Sequence, residues 1–147
     1  MKTREDNMIN IHNFLPHREP MLMADYILEL TREKVVTSFD IKEDNIFVHH
    51  NEFVEAGLIE NLAQTCSSIL GQNFFENPGA DTKVIGFITS IKKIEIFGLP
   101  KAGDTIISKA ELISQFENIC HIFCETFYND ELLIRADINL FIQEIKS

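Results

Sequence analysis

Residues 55–75 read "EAGLIENLAQTCSSILGQNFF", and the spacing of the apolar positions within them decides what kind of domain the chain can build. Leu58, Leu62, Cys66 and Ile69 recur at steps of three and four, while Ile59, Ala63 and Leu70 widen the flank. That period predicts a helix of about four turns with a broad apolar face. Gly71 and the "ENPGAD" that follows are stop signals, so the helix is expected to end there.

The flanking segments change period. Val35, Thr37, Phe39 and Ile41 alternate with Val36, Ser38, Asp40 and Lys42, the pattern of a half-buried strand rich in branched side chains. "MLMADYILEL", residues 21–30, merges into it, and Pro16 and Pro20 ahead of it favour a loop or short helix. Beyond Thr82 everything reads as strand, with turns at "LPKAGD" and at Asn129-Asp130. Strands, one helix and further strands predict a single α+β domain over residues 1–147, with a curved antiparallel sheet laid over one long central helix. A helix apolar nearly all round needs cover on more than one side. Dimerisation, with two sheets joined edge to edge, would supply it.

Composition narrows the functions. The chain has 147 residues and 45% hydrophobic content, enough for one globular core. Its formal charge of -10 argues against nucleic acid, which needs a local excess of Lys and Arg. Lys92, Lys93, Lys101 and Lys109 are the cations available to an acidic partner. No apolar run approaches the roughly 20 residues that cross a bilayer, and the opening "MKTREDNMIN" carries no export signal, so no membrane and a cytoplasmic location are expected. Cys66, Cys120 and Cys124 lie in apolar segments without CxxC spacing and are expected to be reduced and buried.

Three stretches resemble the hotdog-fold 3-hydroxyacyl-[acyl carrier protein] dehydratases of fatty acid synthesis. "LPHREPMLMADYILEL", residues 15–30, looks like the family's opening "LPHRxPxLxVDxVLEL". "LIENLAQTCSSILG", residues 58–71, is similar to the central helix written "LIxEAxAQxxxxL". "SIKKIEIF" and "KAGDTI" resemble the late strand and its "RPGD" turn, and "NDELLIRADINLFI" the closing hairpin. The departure is the family's "GHFPGxPxMPG" loop before the helix, whose prolines are all missing here. His50 precedes Glu60 by ten residues and His49 by eleven, closer than in the family. Branches associated with aryl polyene or flexirubin-type pigments have shortened loops of this kind, and "FVEAGLIENLAQT" looks like them.

The resemblance implies dehydration of a 3-hydroxyacyl thioester, carried on acyl carrier protein or coenzyme A, by a homodimer or higher oligomer with no metal or organic cofactor. Such a reaction needs a base for the C2 proton and an acid for the departing C3 hydroxyl, which a histidine and a carboxyl group supply. Glu60, expected in the first turn of the helix, is the candidate acid. His50 overlays the family's histidine and His49 is the alternative; on a continuing strand the two would point to opposite sides, so only one would face Glu60. Gly57 is placed to offer its N–H to the thioester carbonyl, and Gln64, one turn on from Glu60, to orient it or line the pocket. His17 has a structural place in the N-terminal segment, and His12 and His121 have no functional context. Thioester hydrolysis, or a silent dehydratase-like subunit that binds acyl carrier protein or a partner hotdog chain, are the competing expectations.

Overall fold

The computed structural model describes residues 8–76 and 82–146. The apolar stripe becomes helix α1, Glu55–Glu76, and Leu58, Leu62, Cys66 and Ile69 are all buried. At 22 residues the helix is longer than its stripe suggests, because it passes through Gly71. One glycine costs a helix only about 1 kcal/mol relative to alanine, too little to stop an element held by packing along its length. Pro78 and Gly79, the remaining stop signals, lie outside the described residues.

The described strands are β1 (Ile9–Asn10), β2 (Tyr26–Leu30), β3 (Lys34–Asp40), β4 (Val48–His49), β5 (Glu52–Phe53), β6 (Thr82–Ile96), β7 (Thr105–Phe116), β8 (Ile119–Tyr128) and β9 (Glu131–Lys146). Seven form one antiparallel sheet in the order β1-β2-β3-β7-β8-β9-β6, and β4 and β5 make a separate hairpin. The expected single strand over residues 21–40 is two strands. β2 and β3 pair antiparallel, joined at Thr31, whose hydroxyl accepts from the amides of Glu33 at 3.3 Å and Lys34 at 3.0 Å. A threonine that captures the next amides turns the chain, a signal hidden by the apolar residues on either side. At the expected Asn129-Asp130 turn both residues have positive φ, 46° and 64°, the backbone a two-residue hairpin needs.

α1 lies against the inner face of this sheet, packed on β3, β6, β7, β8 and β9. Val35, Thr37 and Phe39 of β3 and Ile106, Ser108 and Ala110 of β7 are buried at alternate positions, the period of a sheet with one covered face. One helix against a large antiparallel sheet is the expected α+β hotdog arrangement. One lateral row departs from the apolar pattern: Thr37 stands opposite Ser108, and Ser108 opposite Thr126, all at most 1% exposed. Buried hydroxyls need partners, and these find them in one another and in α1.

The segment ahead of β2 folds onto α1. A 3-10 turn at Ile11–Asn13 leads into a loop whose Leu15, Leu22 and Met23 are buried. Cys66, Cys120 and Cys124 are buried and unbridged. A hydrogen bond with the Cys124 side chain, and then burial, push the Cys66 thiol well above its ordinary value. At the sheet's edge, β6 exposes Phe87, Ile88, Ile94 and Ile96. Among the described residues no helix is long and apolar enough to cross a membrane.

Candidate active site

Where the expected loop is missing, "FVHHNEF" at residues 47–53 folds into a tight hairpin. Val48 pairs with Phe53 and His49 with Glu52, leaving His50 and Asn51 as the turn at φ 50° and 67°. Two successive left-handed residues give the turn whose twist suits a hairpin, and His and Asn enter that region more readily than most side chains. His50 therefore leaves the strand that "IFVHH" was expected to continue. Both histidines are exposed, and neither imidazole hydrogen-bonds to Glu60 or to any other described residue.

The hairpin is held on three sides. Phe53 N–H donates to Pro100 O at 2.8 Å, Ala102 N–H to Asn51 O at 3.1 Å, and Val54 N–H to Phe47 O at 3.0 Å. The Phe53 ring is fully buried, with its centroid 5.9 Å from that of Phe39 and 6.4 Å from that of Phe47. Gly57 lies beneath these rings. A Cβ there would collide with the Phe53 ring and come within 2.8 Å of Phe47 Cβ. Its N–H donates to Val54 O at 2.9 Å, so within this chain the amide already has an acceptor. The N–H groups of Glu55 and Ala56 have no partner among the described residues, because Val54, the residue before the helix, has no side-chain acceptor to cap them.

Glu60 lies five residues inside α1, in its second turn; the first-turn acid is Glu55. The helix begins earlier than its apolar stripe, which moves Glu60 away from the N-terminal dipole that an end position would feel. Its half-buried carboxylate accepts from Gln64 Nε2 at 2.9 Å. Gln64 is 1% exposed and satisfied within its own chain: Nε2 also donates to Met21 O at 2.8 Å, and Oε1 accepts from Met23 N–H at 2.7 Å.

The other histidines lie apart from this constellation. His121 Nε2 is 2.6 Å from Asp137 Oδ1, and His12 Nε2 is 3.1 Å from Glu19 Oε1. His17 Nδ1 is buried without a hydrogen-bond partner. Lys92 and Lys93 are both exposed, and Lys93 has φ 54° at an irregularity in the pairing of β6 with β9. Sequence reasoning passed over Asn61, which is as buried as Gln64. The available signal was polar Asn61, Gln64, Thr65 and Ser68 at helical steps beside the apolar stripe.

Comparison with known proteins places the chain among dehydratases. Residues 9–147 match the family described as ApeP-like, ApeP dehydratase. The chain is similar to two proteins named 3-hydroxyacyl-[acyl-carrier-protein] dehydratase FabZ. The one from Helicobacter hepaticus is 28% identical, with 95% of this chain and 91% of that protein covered. The one from Petrotoga mobilis is 27% identical, with 94% and 99% covered. Among solved structures, the dehydratase heterocomplex ApeI:P from Xenorhabdus doucetiae superposes with a TM-score of 0.80 at 17% identity, over 90% of each chain. With its fold shared at that level and its sequence matched almost from end to end, the chain belongs to the ApeP-like dehydratase family.

Proposed function

We propose that the chain dehydrates 3-hydroxyacyl thioesters to trans-2-enoyl thioesters, in fatty acid or polyene-type biosynthesis, with Glu60 as the acid and His50, or His49 beside it, as the base. The observation that carries this reading is the Glu60 carboxylate, half-buried on the central helix and aimed by Gln64, in a member of a dehydratase family. The histidine takes the C2 proton and the C2–H electrons form the C2=C3 bond. The C3–O bond breaks, Glu60 protonates the departing hydroxyl, and water leaves. The proton on the histidine returns to Glu60 for the next cycle. The thioester carbonyl would lie at the unpaired amides of Glu55 and Ala56, where the start of α1 favours the developing negative charge. Gly57 contributes by letting the Phe53 ring sit close to the start of the helix.

His50 and Glu60 do not meet within one chain, which supports a site completed by a second subunit. The apolar, unpaired edge of β6 is the surface we propose for that dimer. Exposed Lys92 and Lys93 offer charge to an acidic carrier protein, and three buried, unbridged thiols suit a reducing compartment such as the cytoplasm. The likeness to a structure described as a heterocomplex favours one second reading, a subunit that becomes active only beside a different hotdog chain. The test is incubation of the purified chain with a 3-hydroxyacyl thioester. Appearance of enoyl absorbance without free thiol supports the proposal. Thiol release without enoyl product would replace it with hydrolysis, and silence relieved only by a co-purifying hotdog chain would replace it with the heteromeric subunit.

A further inference from the structure

We infer that Asn61 is a positioning residue for Glu60, acting through the backbone of Met23; this rests on the dehydratase reading of Glu60. Two amides three residues apart on α1, Asn61 and Gln64, hold the backbone N–H and C=O of Met23. Met23 N–H donates to Gln64 Oε1 at 2.7 Å, and Met23 O accepts from Asn61 Nδ2 at 2.6 Å. Two side chains thus do for Met23 what a neighbouring strand does in a ladder. Because its Oε1 is taken by an N–H and its Nε2 lies between Met21 O and Glu60 Oε1, the Gln64 amide has one satisfactory orientation. Turning it over would set its NH2 against the Met23 N–H and its oxygen against two oxygens. The donor presented to Glu60 therefore depends on Met23 staying in place.

Asn61 is in turn tied to the sheet. Its Oδ1 accepts from Ser108 Oγ at 2.5 Å, Ser108 shares a 2.7 Å bond with Thr126, and the Thr65 hydroxyl donates to Asn61 O at 2.8 Å. A continuous line of hydrogen bonds runs from β8 through β7 and Asn61 to Met23, Gln64 and the carboxylate of Glu60. Packing alone does not explain an amide here, since burying one without partners is unfavourable and an apolar residue would fill the space.

The experiment compares Asn61→Leu, Asn61→Asp and, as a control in the same hydroxyl row, Thr37→Val, which loses the 2.8 Å bond to Thr65. For Asn61→Leu we expect kcat about ten- to a hundredfold lower, with KM within about twofold, since a misdirected acid slows the chemical step while leaving thioester binding intact. Amide exchange at Met23 should accelerate in Asn61→Leu and stay slow in Thr37→Val, whose kcat should also stay near that of the unaltered protein even if its melting temperature falls. In Asn61→Asp the introduced carboxyl can donate to Met23 O only when protonated, so its activity relative to the unaltered protein should rise as pH falls. Unchanged kcat and slow Met23 exchange in Asn61→Leu overturn the inference alone. Absence of turnover in the unaltered protein overturns the dehydratase reading and the inference with it.

Discussion

His50 and Asn51 carry two demands at one place. Their backbones occupy the left-handed region, at φ 50° and 67°, while the His50 imidazole is the proposed base. A side chain with a Cβ is disfavoured there by roughly 1–2 kcal/mol and glycine is not. His50→Gly should therefore hold the fold, with unfolding in urea at or above the midpoint of the unaltered protein, while His50→Val should lose about 1–2 kcal/mol because a β-branched residue is an outlier in that region. A lower midpoint for His50→Gly than for His50→Val would contradict the turn assignment. The glycine variant removes the imidazole without disturbing its support, which makes it the better probe of chemistry.

At the scale of elements, the hairpin and the start of α1 form one packed unit with Gly57 at its centre. Alanine favours a helix over glycine by about 1 kcal/mol, yet a Cβ at residue 57 collides with the buried Phe53 ring and comes within 2.8 Å of Phe47 Cβ. Overpacking of this kind costs about 1–3 kcal/mol, so Gly57→Ala should be net destabilising in chemical denaturation; a stabilised variant would show that the hairpin yields easily. Much of this level was legible beforehand. Leu58, Leu62, Cys66 and Ile69 marked the helix through their period, and Val35, Thr37 and Phe39 marked a strand, because burial on one face writes itself into spacing. The β4–β5 hairpin was not legible, since two-residue strands have no period and His50-Asn51 is an uncommon turn pair. The first turn of α1 was also missed: Glu55 and Ala56 are exposed, so the helix starts before its apolar stripe does. Asn61 escaped because a buried amide and a solvated one look alike until their partners in other elements are known.

Over the whole molecule, the features left unfinished point the same way. β6 presents apolar side chains along an edge unpaired among the described residues, Glu60 is oriented by Gln64 with no described histidine hydrogen-bonded to it, and His49 and His50 are exposed with no partner for either imidazole among the described residues. Pairing two copies would cover the edge and bring base to acid across the interface. The most direct measurement is subunit complementation of 3-hydroxyacyl thioester dehydration with Glu60→Gln and His50→Gly. Each variant alone should fall at least about a hundredfold, the scale of losing a general acid or base. After mixing and subunit exchange, activity should return to roughly a quarter of the unaltered level, because half the dimers are mixed and each holds one intact site. Full activity in either variant alone, or a mixture that stays inactive, would contradict a site shared between Glu60 and His50.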